Sequence, residues 1–380
     1  MTKKIAAEIY PPGEILREEL EARNWTQGDL ADILGRPLTR VNEIICGKRA
    51  ITPETAKGLA AALGTSAELW LNLESAYQLS QIRTADSTVE RRAKLYALAP
   101  VKEMVKRNWI EPSNNIEVLE RRVCDFLNIS RIDQEPSFWT FAARSSLTGS
   151  RPTPAQLAWL FRAQQLARAV HINNKFNDTR LDGAIRALRN ILHSIEEVRK
   201  IPMILADAGI RLVILESLPN SRIDGAVFWL DESSPVVALS LRYDRIDGFW
   251  HTLFHELGHV SRRHGLSEHE PLDIDLVGNE AKVHADKPQI EQSVDRFATE
   301  NLIPRAELDG FIARVKPLYG INKIVRFANR IQVHPGIVVG QLQYRGEIPY
   351  SHSRKLLLRV RDVITKSALT NGWGNIPAGL

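Results

Sequence analysis

Five consecutive residues, His255-Glu256-Leu257-Gly258-His259, set two imidazoles and a carboxylate at a spacing suited to hydrolytic chemistry. Residues four apart on a helix project from one face, so His255 and His259 can grip a single divalent ion, with Zn2+ the expected one. Glu256 lies beside them, where a carboxylate can take a proton from an attacking water. Phe249, Trp250, Leu253, Phe254, Leu257 and Val260 give the motif an apolar surround, which limits water and strengthens an ion's field.

A catalytic zinc site needs a third protein ligand and one open position. Downstream, Glu291 and Asp295 lie four apart in a second helical stretch and share a face. By themselves such acids read as a solvated helix pair; with the upstream motif, Glu291 is assigned as the third metal ligand and Asp295 as an outer carboxylate orienting one histidine. His251, one turn before His255, and His264, five residues after His259, are read as peripheral, because three ligands suffice. Tyr350, Tyr344 and His334 stand as unranked candidates for oxyanion stabilisation. A strand edge near residues 225–230 is expected to take an extended substrate by strand addition.

The elements that must hold these residues are legible around them. Residues 211–215, 225–230 and 236–241 are short, β-rich and bounded by turn residues, which predicts three strands. A long helix is expected over residues 245–263 and another over 289–301, carrying the two halves of the proposed site. Between residues 81 and 200 the pattern is helical but broken by Pro100, Pro112, Pro136 and Pro152-Thr153-Pro154, and it offers no motif. The last ten residues, rich in glycine, read as a loose tail.

Near the start, residues 12–77 read as short helices separated by turn signals. A two-helix unit fits residues 27–46. Ala31 is the small residue needed where the second helix crosses, Gly35 supplies a tight turn, and Leu30, Leu34, Val41 and Ile44 close a miniature core. Thr26 suits an N-cap and Pro37 the opening turn of the second helix. That second helix would present Thr39, Arg40, Asn42 and Glu43 to a DNA major groove, with Gln27, Lys48 and Arg49 holding phosphates. Arg36, Arg40, Lys48 and Arg49 against Glu43 alone bias this segment toward DNA rather than toward a plain helical bundle.

Composition sets the outer bounds. At 380 residues, with 44% hydrophobic and 25% charged residues, the chain is globular and long enough for two or three domains. Two distant cysteines, Cys46 and Cys124, argue against a disulfide framework. The polar opening from Met1 to Glu8 and the lack of a bilayer-length apolar run predict a cytoplasmic protein without membrane contact. A formal charge of +5 permits nucleic-acid binding without establishing it.

Two resemblances attach to these residues. The stretch Pro12-Gly13-Glu14-Ile15-Leu16-Arg17-Glu18-Glu19-Leu20 through Gly47-Lys48-Arg49-Ala50-Ile51-Thr52, with Leu69-Trp70-Leu71-Asn72-Leu73-Glu74-Ser75-Ala76-Tyr77, resembles HigA-type antitoxins of the XRE family of helix-turn-helix regulators. It implies a homodimer on a double-stranded operator; Trp70 and Tyr77 are read as core packing. Pro235-Val236-Val237-Ala238-Leu239-Ser240-Leu241-Arg242, the segment from Phe249 to His259, Asp295-Arg296-Phe297-Ala298, Leu302-Ile303-Pro304 and His334-Pro335-Gly336-Ile337 resemble the ImmA/IrrE family of metallo-endopeptidases. That family often shows Glu-x-Glu-Ala-Asn/Asp before its Phe-Ala pair; here Ser293 replaces the second glutamate. The four-residue spacing to Asp295 favours Glu291 as the ligand.

The expected fold is therefore α+β and predominantly helical. A helix-turn-helix domain occupies residues 1–78, a helical linker or middle region 79–200, a zincin-like peptidase domain with a small sheet 201–350, and a C-terminal helix and tail 351–380. The peptidase resemblance implies cleavage of a repressor or antitoxin partner in a stress or toxin–antitoxin response; self-cleavage and recruitment to an operator stay open. The alternative is a non-proteolytic HigA-like antitoxin whose C-terminal domain binds a toxin partner, or zinc for structure only.

Overall fold

The computed structural model describes residues 10–81, 87–136, 138, 152–266, 272–274 and 288–372. The expectations for Met1–Glu8 and for the tail beyond residue 372 fall outside these. The chain divides into two compact units, Met1–Glu90 and Arg91–Leu380. No helix among the described residues is long and apolar enough to cross a membrane.

The first unit contains α1 (Pro12–Ala22), α2 (Gln27–Leu34), α3 (Leu38–Ile45), α4 (Pro53–Leu63) and α5 (Ala67–Gln81). Several of these helices begin where the sequence offers a start signal. Thr26 caps α2 in a reciprocal box with Asp29, and Thr52 caps α4, whose first residue is Pro53. Gly35 ends α2 in the left-handed conformation at φ 60°. Leu16, Leu20, Leu30, Val41, Ile44, Leu59 and Trp70 form one core, and the indole of Trp70 donates to Thr65 Oγ1 at 2.8 Å. Tyr77, expected in this core, is only half-buried, because α5 packs by one narrow face of which Trp70 alone is fully covered.

The second unit is built on a five-stranded mixed sheet. Its helices, after α6 (Ser87–Leu98), are α7 (Val101–Lys106), α8 (Ile116–Phe126), α9 (Pro154–Ala169), α10 (Asp178–Asn190) and α11 (Ile201–Asp207) before the first strand. Then come β1 (Arg211–Leu215), β2 (Ile223–Trp229), β3 (Pro235–Leu239), α12 (Ile246–Ser261), β4 (Leu272–Ile274) and α13 (Gln289–Leu302). The chain closes with α14 (Arg305–Val315), α15 (Ile321–Arg330), α16 (Pro335–Tyr344), α17 (Arg361–Ile364) and β5 (Leu369–Asn371). The strand order is β4-β2-β3-β1-β5; β1 runs parallel to β3 and β5, and β2 runs antiparallel to β3 and β4.

Both sheet faces are buried, and period-two alternation divides the strand residues between them. Leu212, Ile214, Val227, Val237 and Leu239 face α12 and the C-terminal helices. Val213, Leu215, Ala226, Phe228, Val236 and Ala238 face Trp159, Leu160 and Phe161 of α9 and the helices before it. Polar contacts lock the second layer: Trp159 Nε1 donates to Leu215 O at 3.1 Å, and Arg107 donates to Glu216 O and Ser217 O at 2.8 and 2.9 Å.

Two expected boundaries are corrected by this packing. Residue 200 is not a domain border, because strands that are apolar on both faces need cover on both, and the middle helices supply the second layer. Nor is the segment after residue 350 a mere helix and tail. Leu369–Asn371 adds a parallel strand beside β1, and the indole of Trp109 donates to Asn371 Oδ1 at 2.7 Å.

Candidate metal centre and helix-turn-helix surface

Helix α12 runs through the middle of the second unit, and nearly every residue from Ile246 to Val260 is buried. It packs against α13 at Gly258, where a Cβ would stand 2.8 Å from Val294 Cγ1. That close approach brings the acids of α13 level with the histidines of α12. Nε2 of His255 lies 3.1 Å from Nε2 of His259 and 3.2 Å from Glu291 Oε2, which is 3.7 Å from Nε2 of His259. Three potential ligand atoms thus face one point. A tetrahedral zinc with Zn–N bonds of about 2.0–2.1 Å separates its ligands by about 3.3 Å, close to this triangle.

Asp295, buried on α13, places Oδ1 2.9 Å from His255 Nδ1; a proton on Nδ1 would face this carboxylate and leave a lone pair on Nε2. In that tautomer the Nε2 lone pair faces the His259 ring and the Glu291 carboxylate. Burial opposes ionisation of Glu291, while the adjacent His255 and His259 rings, when protonated, hold its carboxyl well below the usual range. The residues present fit a divalent ion with nitrogen and oxygen ligands.

Glu256 is fully buried and points from α12 onto the backbone of β2. A Cβ on Gly225 would stand 1.9 Å from its Oε1, so any larger residue there would displace the carboxylate. Ser293 donates its hydroxyl to Ile290 O at 2.9 Å within its own helix.

The peripheral assignments need revision at one residue. His251 lies 3.9 Å from Asp295 Oδ1, outside the triangle. His264, expected to point elsewhere, turns back so that its Nδ1 is 2.8 Å from Nδ1 of His259. The chain reverses after α12 through left-handed Arg263 and Gly265, which five-residue spacing on an ideal helix does not anticipate.

The oxyanion candidates also separate. His334 Nδ1 accepts from Gly336 N at 3.0 Å and so serves as the cap of α16. Burial pushes the Tyr350 phenol up, with Arg245 opposing. Tyr344 packs nearer the histidines, its ring 6.2 Å from that of His251; burial and the charge of Asp295 push its phenol up to about 12. Its hydroxyl is sealed from solvent. The expected strand edge over residues 225–230 is taken at its start: β4 pairs with β2, with Gly225 opposite Asp273 and Ala226 opposite Leu272.

In the first unit, α2 and α3 form the two-helix element. Thr39 and Asn42 of α3 are exposed, Arg40 and Glu43 half-buried, and Lys48 and Arg49 exposed just beyond the helix. Gln27 accepts from Asn42 Nδ2 at 3.1 Å, so it braces α3 rather than standing alone at the start of α2. Arg49 pairs with Glu43 at 2.6 Å, and Arg36 pairs with Glu54. Hydrogen bonds from the backbone and hydroxyl of Thr26 hold the Asp29 carboxyl below its ordinary value, keeping the cap of α2 charged.

The helix-turn-helix family matches residues 16–70, the span from α1 into α5. The chain belongs, through this first unit, to the XRE-type helix-turn-helix transcriptional regulators. It is 33% identical over 79 residues to the uncharacterized HTH-type transcriptional regulator YddM of Escherichia coli (strain K12), covering 21% of this chain and 81% of that one. It is 44% identical over 69 residues to the virulence-associated protein I of Dichelobacter nodosus, covering 18% and 64%. Among solved structures, an addiction module antidote protein of the HigA family from Coxiella burnetii is 32% identical, with 29% of this chain and all of that chain covered at a TM-score of 0.19.

Proposed function

We propose that this chain is an operator-binding regulator whose second unit is a zincin-like zinc endopeptidase of the ImmA/IrrE kind, acting by cleavage of a bound repressor or antitoxin. The observation that carries the reading is the convergence of two imidazole Nε2 atoms and the Glu291 carboxylate, with Glu256 buried on the same helix as the histidines. His255, His259 and Glu291 would hold Zn2+, which when bound polarises water and the scissile carbonyl.

The remaining work falls to side chains of the protein. Asp295 holds the His255 ring in its binding tautomer. Glu256, next to His255 on α12, would take a proton from the attacking water and return it to the leaving amine. The apolar flanks of α12 keep bulk water from this carboxylate. In the first unit, exposed Thr39 and Asn42 with Arg40 face the major groove, while Lys48 and Arg49 hold phosphates, in a homodimer on double-stranded DNA within the cytoplasm.

Mapping of new peptide termini in cell extract tests the peptidase. Zinc-loaded wild type should yield a defined cut that chelator and Glu256→Gln both abolish. If the same termini arise with Glu256→Gln, hydrolysis by this site is wrong. The regulator likeness of the first unit would then favour a non-proteolytic antitoxin or repressor.

A further inference from the structure

The two histidines of the triangle are backed by different partners. His255 rests on a carboxylate, Asp295, whereas His259 rests on another imidazole, with Nδ1 of His259 and Nδ1 of His264 2.8 Å apart. Two ring nitrogens at that distance share one proton, so one donates and the other accepts. If His264 donates, His259 carries its own proton on Nε2, where it blocks the point shared with His255 and Glu291. If His259 donates, its Nε2 is a lone pair aimed at that point.

His264 is held firmly for such a role. Its backbone N–H donates to His259 O at 3.0 Å, and its carbonyl accepts from the indole of Trp229, at the end of β2, at 2.8 Å. Left-handed Arg263 and Gly265 on either side fold the chain back toward α12. The ring planes meet at 61° with centroids 5.0 Å apart, so the contact is edge-on between nitrogens rather than stacked.

We infer that His264 is the positioning residue of His259: as hydrogen-bond acceptor it keeps the His259 proton on Nδ1 and leaves Nε2 available to a divalent cation. The inference rests on the metal-binding part of the function proposed above. Outer partners of metal-binding histidines typically change affinity by about 10–100-fold when removed.

The test uses the full chain stripped of metal, titrated with zinc against a chromophoric chelator, and with Co2+ followed by visible absorption. His264→Leu keeps the bulk and removes the acceptor. His264→Asn keeps an acceptor oxygen near the position of Nδ1. His255→Ala reports on the site itself, and thermal unfolding of each metal-free variant reports on folding. The expected result is a fall in zinc affinity of about 10–100-fold for His264→Leu, an altered Co2+ spectrum, and near wild-type affinity for His264→Asn. Unchanged affinity in His264→Leu overturns the inference, and so does an equal fall in His264→Asn, which would make the residue mere packing. Failure of the metal site itself has a different signature: wild type and His255→Ala would bind zinc alike.

Discussion

Gly225 on β2 and Glu256 on α12 meet so closely that a methyl group on the glycine would stand 1.9 Å from the carboxylate oxygen. That added carbon would also lie 2.8 Å from Glu256 Cδ and 3.0 Å from Thr252 Cγ2, so the Glu256 carboxylate would have to shift. Gly225→Ala should therefore lower stability by about 1–3 kcal/mol, the usual range for overpacking, and abolish any Glu256-dependent cleavage. Urea unfolding and peptide-terminus mapping check the two effects. A variant with wild-type stability and cleavage would show that the contact is not required.

Asp295→Ala removes the acceptor behind His255 and leaves its ring free to take the wrong tautomer. Zinc affinity should fall by about 10–100-fold, as for His264→Leu, while the helix-turn-helix unit keeps its thermal transition. Competition titration and calorimetry measure these separately.

The indole of Trp109 and the amide oxygen of Asn371 bond at 2.7 Å in a buried setting, joining the middle helices to the last strand. Trp109→Phe strands the acceptor and should cost about 1–3 kcal/mol. Because the helices before residue 200 and the strands after it pack in one core, truncation before Leu369 should lower the urea midpoint of the whole second unit in one transition. Two separate transitions for the helices before and the strands after residue 200 would contradict the single unit.

On the first unit, Lys48→Ala should weaken binding to all DNA sequences and reduce the log–log salt slope by about 1. Asn42→Ala should instead cost about 1–3 kcal/mol on the preferred operator and little elsewhere. Glu43→Gln releases Arg49 from its ion pair and should tighten binding at low salt. Fluorescence anisotropy across a salt series distinguishes the three.

Local rules determined much of this protein from its sequence alone. Periodicity marked α12 and α13 to within a few residues, Thr26 and Gly35 bounded α2, and four-residue spacing put His255 with His259 and Glu291 with Asp295. Each of those inferences concerns neighbours on one element, where geometry follows from chain connectivity. Which faces meet was decided by tertiary packing. Gly225 and Gly258 carried a readable signal, glycine inside regular elements, but not the identity of the surfaces that press on them. The return of His264 onto His259, the docking of α9 beneath the sheet and the addition of β5 all join surfaces whose partners sequence spacing does not specify. Apolar burial is non-directional, and only the assembled layers choose which complementary faces satisfy it.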